Sequence, residues 1–337
     1  MKGFIALLLI ALIAVGVFVF YIGNVNNINS DRESVSINIR NDADFDKVLQ
    51  LLKEKKMLHN VQTFSLVARF KNYNQNIKGG HYIFAKRMNN REIVNMLKVG
   101  LQSPVKFTTY NIQTKEDFAG AIARNLDIDS ISVLNDLYDE NFCAARNSNT
   151  ENVLATFIYS SFEMKWNSDK KVLYDSFEIA YKRFWNEERE AKASALNLTK
   201  NDVEILASIV EKECMVESEL PIIAGVYLNR LRIKMPLQAD PTLKFAAKEF
   251  DAKRVNNSHK SVESEYNTYK HKGLPPGPIC LPRKKSVDAV LNAEKHDFLY
   301  FCANPDMSGN SVFSRTLEEQ NRVAVEYRKK LNALNIH

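Results

Sequence analysis

The chain has no His-Glu-x-x-His helix and no Cys-x-x-Cys pair, and its six histidines are scattered. Those absences remove the usual zinc arrangements, so neither a metal nor a cofactor is expected. Cysteine is sparse: Cys143, Cys214, Cys280 and Cys302 stand far apart, which suits buried free thiols better than a disulfide framework. Glycine and proline are also few, and with 45% hydrophobic and 26% charged residues this argues against wholesale disorder. Strong charge is missing as well. A formal excess of +6 favours an anionic partner, a membrane surface or an acidic polymer, and lies far from a nucleic-acid signature. At 337 residues there is material for two domains or one elaborate one.

One long apolar run is present. Residues 3–23, "GFIALLLIALIAVGVFVFYIG", carry no charge. About 20 apolar residues span a bilayer as a helix, so this run just suffices. A cleaved signal peptide competes, with Lys2 as its basic start. Against it, the run exceeds a usual signal core, and the best small-x-small site, Ala14-Val15-Gly16, lies inside the segment. The expectation is a transmembrane anchor over 1–23 with Tyr21 as an interfacial aromatic. A polar linker over 24–35 would lift the body off the periplasmic or extracellular side of the cytoplasmic membrane.

Beyond the linker, Val35, Ile37 and Ile39 alternate with polar residues as in a short strand. Asn41 or Asp42 can cap a helix that puts Phe45, Val48, Leu49 and Leu52 on one face. Residues 63–70 keep helical spacing, "KGGHYIF" supplies a turn and a second strand, and "MNNREIVNMLKVG" reads as a capped helix stopped by Gly100. The order is a β-α-α-β module, 36–105, ahead of a larger region, 106–337. Ile112 and Phe118 repeat the spacing of Ile39 and Phe45, through duplication or through a common way of starting a helix. Residues 130–195 are predicted mainly helical, with Phe177, Ala180, Tyr181 and Phe184 as a packing stripe. In "NTYKHKGLPPGPICLP", Pro275, Pro276 and Pro278 exclude helix and central strand, leaving a stiff loop suited to shaping a cleft. The fold class is α+β.

The most informative stretch is "LASIVEKECMVESELP", residues 206–221, with glutamates at 211, 213, 217 and 219. Thr199 and Asp202 form a capping-box pattern at the start of its helix. At about 100° per residue, Val203, Leu206, Ala207 and Val210 share one side, with Ile209 on the flank and Cys214 continuing the stripe. Glu213 falls within that apolar sector, Glu204 and Glu211 on the opposite edge, and Glu217 and Glu219 in the turn before Pro221. Desolvation raises a carboxyl pKa, and a carboxyl still protonated near neutral pH can act as a general acid. Glu211 is the secondary candidate, and a frayed, solvated helix end remains open. The next helix carries Ile223, Val226, Tyr227 and Leu231, with Asn229 to Arg232 as its polar last turn. "QADPT" reads as a turn, whose Gln238 and Asp240 bond a sugar or simply cap local backbone.

"ILASIVEKE", "VYLNRLRIKMPLQADPT", "YNTYKHKGLPPGPI" and a late "FSRT…N" occur in this order. Together they resemble the YceG/MltG family of membrane-anchored endolytic murein transglycosylases. The resemblance covers most of residues 35–330. It implies a LysM-like subdomain at 36–105 and a mainly helical, lysozyme-like catalytic domain at 106–337, with irregular β and loop elements. "SIVEKEC" is also similar to the I-x-x-x-E-S segment of lysozyme-like transglycosylases, and aligning Ile209 puts the catalytic glutamate on Glu213. The implied substrate is the glycan strand of peptidoglycan, cut between N-acetylmuramic acid and N-acetylglucosamine to leave a 1,6-anhydro end. The implied substrate-binding groups are Gln238, Asp240, Thr242, Tyr266, Asn267 and Tyr269, and the implied partners are peptidoglycan synthases. Two departures stand out: Leu281-Pro282-Arg283 where the family reads Asn-Pro-Gly, and Asn310-Ser311 where a histidine is usual. Alternatives are a lysozyme-type hydrolase using the same Glu213 and a water, or a non-catalytic glycan-binding scaffold.

Overall fold

The structure, a computed structural model, describes residues 2–213, 216–252 and 254–333. Cys214, placed next on the apolar stripe by periodicity, lies outside them. Two compact units emerge. One comprises residues 1–107, 122–129 and 162–170, the other residues 108–121, 130–161 and 171–337.

The first unit opens with helix α1 (Lys2–Asn24), then β1 (Ser34–Ile39), α2 (Phe45–Glu54), α3 (Val61–Phe70), β2 (Gly80–Ala85) and α4 (Asn90–Val99). Strands β1 and β2 pair antiparallel from Ser34↔Ala85 to Ile39↔Gly80. The alternation of Ile37 and Ile39 with polar neighbours therefore buries one face, against Val48, Leu52, Phe64, Tyr82, Phe84, Ile93 and Leu97. The cap of α2 is Asp44, whose carboxylate accepts from Lys47 N at 2.8 Å, and not Asn41 or Asp42. Asp42 instead pairs with Arg40. Helix α4 has a full capping box between Asn89 and Glu92 and ends at Gly100, whose φ of +78° suits glycine.

Among the described residues, no helix is long and apolar enough to cross a membrane. The expected single-pass anchor, and with it the placement of the body outside the cytoplasmic membrane, is therefore corrected. The physical reason lies at the end of α1. The apolar run had no residues to spare, and its last turn is committed to protein: Ile22 and Gly23 are buried, and Ile22 O accepts from Asn90 Nδ2 at 3.0 Å. The following segment is packed too. Asn27 and Ile28 are buried, Asn27 Nδ2 donates to Asn90 Oδ1 at 2.6 Å, and Ile28 bridges to Leu58.

Next along the chain come β3 (Val105–Thr108), α5 (Lys115–Asn125), α6 (Ser130–Tyr138), α7 (Glu140–Ala144) and β4 (Ser161–Met164), with β3 and β4 paired. The second unit continues with α8 (Lys170–Phe184), α9 (Glu187–Ala195), α10 (Lys200–Glu213), α11 (Leu220–Arg232), α12 (Asp240–Ala247), α13 (Asn257–Ser261) and α14 (Lys284–Leu291). A hairpin of β5 (Tyr300–Ala303) and β6 (Ser311–Ser314) leads into α15 (Leu317–Ala333). Residues 265–283 between α13 and α14 form the stiff irregular loop that the prolines require.

Helix α10 is the axis of this unit. Its capping box is present, with Thr199 N donating to Asp202 Oδ2 at 2.9 Å and Asp202 N to Thr199 Oγ1 at 3.1 Å. Every residue from Val203 to Val210 is buried. A helix enclosed on all sides has no polar edge, so the expected solvent-facing position of Glu204 is wrong. Its carboxyl is fully buried, accepts from Trp185 Nε1 at 3.1 Å through one oxygen, and has no partner for the other among the described residues. Burial pushes its pKa up to about 8, against the Trp185 hydrogen bond and with help from the charge of Asp288.

A folded-state pKa of about 8 against an ordinary 4.5 means the folded chain holds this proton more tightly than the unfolded chain. The resulting stability is complete below pH 4.5 and is lost as pH rises toward about 8. Glu204→Gln is expected to keep the Trp185 contact and flatten the fall in melting temperature between these limits, measured by thermal denaturation across pH.

Candidate active site

At the C-terminal end of α10 the enclosure opens and Glu213 emerges, half-buried. Helix α11 runs beside α10 and presents Tyr227, which is buried at 1% exposure. Its hydroxyl donates to Glu213 Oε1 at 2.7 Å. Burial lifts the Glu213 pKa to about 7, and the nearby charge of Asp240 pushes the same way. The Tyr227 hydrogen bond and the positive charges of Arg230 and Lys244 act against that rise. The outcome is a carboxyl poised between its two protonation states at neutral pH, the condition for exchanging a proton in either direction.

Asp240 starts α12, where an acidic residue meets the positive end of the helix dipole. "QADPT" is thus a helix start and not only a turn, with Pro241 in the first turn, where its missing N–H costs nothing. Tyr269 Oη donates to Asp240 Oδ1 at 2.6 Å. Gln238 is exposed and sits at φ +50°, a left-handed backbone that is unfavourable for a residue with a Cβ. Thr268 holds it there. Gln238 N donates to Thr268 O at 3.1 Å and Ala239 N to Thr268 Oγ1 at 3.0 Å.

The six expected substrate groups therefore divide. Asp240 and Tyr269 lie within electrostatic reach of Glu213, and the exposed Gln238 precedes Asp240 by two positions. Thr242 is buried, its hydroxyl engaged with Ala239 O and Thr268 Oγ1. Asn267 is also buried, donating to Lys260 O and Val262 O and accepting from Tyr269 N. Both are internal struts of the loop that carries Tyr269. Tyr266 packs its ring on Phe245 at 4.7 Å and points its hydroxyl toward Glu151 Oε2 at 3.5 Å. A side chain at Gly277 would meet Glu151 O at 2.1 Å and Tyr266 Oη at 2.7 Å, so glycine is needed for this close approach.

Glu211 has different work. Its Oε2 accepts from Arg283 N at 2.6 Å and Ser286 Oγ at 2.9 Å, and its Oε1 from Arg283 Nε at 3.0 Å. Arg283 is the N-cap residue of α14 and brings no capping side chain of its own, so Glu211 supplies the cap from another helix. The unusual Leu281-Pro282-Arg283 segment thereby gains an ion pair to α10. Ser208 fastens the same loop by accepting from Ile279 N at 3.0 Å. Glu217 and Glu219 form the expected turn before Pro221. Glu217 pairs with Lys285, while the buried Glu219 accepts from Ser311 N at 2.8 Å.

Three groups that act on Glu213 were not legible in the sequence. Tyr227 was visible as a polar-tipped ring on an apolar stripe, but periodicity says nothing about what its hydroxyl meets. Arg230 was assigned to a polar last turn. It is buried, donating to Leu299 O at 2.6 Å and to Leu237 O. Lys244 of α12 joins Lys212, Pro241, Phe245, Phe250 and Ile279 around a cavity of about 100 Å³.

Two outcomes follow from this geometry. Tyr227→Phe removes a donor that favours the ionised form, so the Glu213 pKa is expected to rise further, as read by NMR titration of its labelled side-chain carboxyl. Glu211→Gln removes a charge-assisted cap and is expected to cost about 1–3 kcal/mol of stability in denaturant unfolding while leaving the Glu213 titration in place.

A tyrosine-bonded, neutral-poised glutamate at the end of an enclosed helix also bears on the chain's kinship. The profile of the YceG-like family matches residues 37–326. An endolytic murein transglycosylase of Bacillus subtilis (strain 168) is 28% identical over 313 residues, which is 88% of this chain and 85% of that protein. One from Streptococcus pneumoniae serotype 2 is 25% identical over 337 residues, 90% of this chain but only 60% of the relative's length. The crystal structure of a YceG-like protein from Listeria monocytogenes superposes with a TM-score of 0.61 at 27% identity, covering 86% of this chain and 99% of that one. With its profile matched over most of its length, the chain belongs to the YceG-like family.

Proposed function

We propose that this chain is a peptidoglycan lytic transglycosylase that cuts glycan strands endolytically, with Glu213 as the acid and then the base. The observation that carries the reading is the state of Glu213: half-buried, bonded by Tyr227 and lifted to a pKa of about 7. The names of the bacillary and streptococcal relatives support the substrate class.

Glu213 in its acid form donates a proton to the oxygen linking C1 of N-acetylmuramic acid to N-acetylglucosamine, and that bond breaks. The carboxylate left behind takes the proton from the C6 hydroxyl of the same muramic acid residue. The C6 oxygen closes on C1 and forms the 1,6-anhydro ring, so atoms and protons balance with no water consumed. Because the nucleophile belongs to the substrate, no second carboxylate is required, unlike the paired carboxylates of most glycosidases. Gln238, Asp240 and Tyr269 at the opening, with Tyr266 on the loop, are the proposed sugar contacts. Thr242 and Asn267 act through the loop they brace. The N-terminal unit, with its strand–helix–helix–strand order, is proposed as a LysM-like holder of glycan, and a peptidoglycan synthase is the partner implied by kinship alone.

A lysozyme-type hydrolysis is the second reading. The observation in its favour is Asp240, whose charge is felt at Glu213 as a second carboxylate would be. Product masses separate the two, since an anhydro end is lighter than a reducing end by one water.

Digestion of uncrosslinked glycan by wild type should release anhydro-ended fragments, and Glu213→Gln should lose about 10²–10⁴-fold in rate. Glu211→Gln should retain catalysis wherever it remains folded. Since the acid form starts the reaction, the rate is expected to fall as pH rises through about 7. Cleavage by Glu213→Gln at the wild-type rate overturns the assignment.

A further inference from the structure

The second unit contains a larger cavity that the proposed chemistry leaves unused. Its volume is about 530 Å³, within the range of small-molecule sites, and its lining includes Arg146, Phe157, Tyr174, Phe177, Tyr181 and Trp185. Trp185 is bonded to Glu204 of α10. Glu213 lies nine residues further along that helix, roughly 13 Å away by the helical rise. The cavity is thus separate from the opening at Glu213.

Its lining carries one more cation than carboxylate, and Asp136, bonded by Tyr174 Oη at 2.8 Å, adds a negative charge felt at Arg146. Three cations line it, Arg146, Lys182 and Lys200, against two carboxylates, Glu178 and Glu190. Both carboxylates are already taken, Glu178 by Lys182 at 2.5 Å and Glu190 by Lys200 at 2.7 Å. Arg146 has no ion pair among the described residues. Its guanidinium lies 3.6 Å from the Phe142 centroid and 5.2 Å from that of Tyr174, two rings that meet edge to face at 4.9 Å and flank it from one side. Among the described residues, only one of its five N–H donors is engaged, by Phe142 O at 3.2 Å. An arginine packed against a ring pair, with donors left over, is suited to grip a carboxylate. Beside it, Tyr181 packs at 6.3 Å from Trp185 and its hydroxyl makes no hydrogen bond among the described residues. Those rings provide an apolar floor in the cavity that Arg146 also lines.

We propose that this cavity binds a short acidic peptide, with its carboxylate on Arg146 and its apolar side chains on Tyr181 and Trp185. The source of such a peptide rests on the proposed function: peptidoglycan strands carry short acidic peptides, and a strand held at Glu213 would offer one at a distance of this order. The chemistry itself, a carboxylate on a small apolar body, is argued from the cavity alone.

Trp185 supplies the readout, because the chain has only two tryptophans. In a full-length Trp166→Phe background, titration with acetyl-Ala-Glu-Ala should change the fluorescence saturably. The uncharged acetyl-Ala-Gln-Ala-amide should bind at least about tenfold more weakly, in line with the loss of charge-assisted hydrogen bonds. Arg146→Gln should weaken the acidic peptide by a similar factor. The amidated peptide tests the same point on protein whose folding is undisturbed. Equal binding of charged and uncharged peptides, or no saturable change with either, overturns the proposal. N-acetylmuramic acid serves as the third probe: if it binds as tightly as the peptide, the site reads the sugar's own carboxylate and the peptide assignment falls. Repeating the titration in Glu213→Gln separates the two proposals. Binding is expected to persist there, so a failure of cleavage chemistry and a failure of this site give different results.

Discussion

The enclosure of α10 is the constraint from which the site follows. With Val203 to Val210 buried on every side, the helix cannot shift or rotate without opening the core of the second unit. Everything attached to it inherits that rigidity. Ser208 fastens the proline-rich loop, Glu211 caps α14, and Glu213 is delivered at the point where burial ends. A carboxyl whose pKa depends on partial desolvation needs such a mounting, because a small outward movement would return it to water and to its ordinary value.

The glutamates of α10 and the turn after it show how position alone separates chemically identical groups. Glu204 is dry and short of partners, Glu211 is saturated by three donors, and Glu217 is paired at the surface. Glu213 lies between these extremes, with one tyrosine donor and access to the opening. Neither a fully buried nor a fully bonded carboxyl can trade a proton with a substrate. The intermediate case can.

Much of the local structure was legible along the chain. The capping boxes at Asn89 and Thr199, the stop at Gly100, the alternation of Ile37 and Ile39 and the proline-stiffened loop all depend on neighbours within a few residues. The helical angle of Glu213 relative to Val203 and Leu206 is likewise a local quantity, and Glu213 is half-buried where the helix ends, although the same wheel missed the fuller burial of Glu204. Readings failed where the answer lay in distant packing. Glu204 and Arg230 looked solvent-facing because a helical wheel assumes one dry side, whereas α10 has none and Arg230 is pulled inward by the carbonyls of Leu237 and Leu299. The apolar N-terminal run met the length for a membrane span on paper, yet its end is committed to the first unit through Ile22 and Asn90.

Sequence by itself determined the α+β character, the capped starts at Asn89 and Thr199 and the stop at Gly100, the candidate Glu213 and the kinship carried by "ILASIVEKE" and its companion blocks, because periodicity, capping and motif order are one-dimensional properties. Tertiary structure decided which of the polar groups face an opening and which brace a loop. Thr242 and Asn267 share their motifs with Asp240 and Tyr269, and only three-dimensional packing separates the buried struts from the groups left partly exposed. It also decided that Tyr227, fourteen positions beyond Glu213 in the chain, is the group that bonds it. That pairing requires two helices to meet side by side, and no spacing along one of them encodes it.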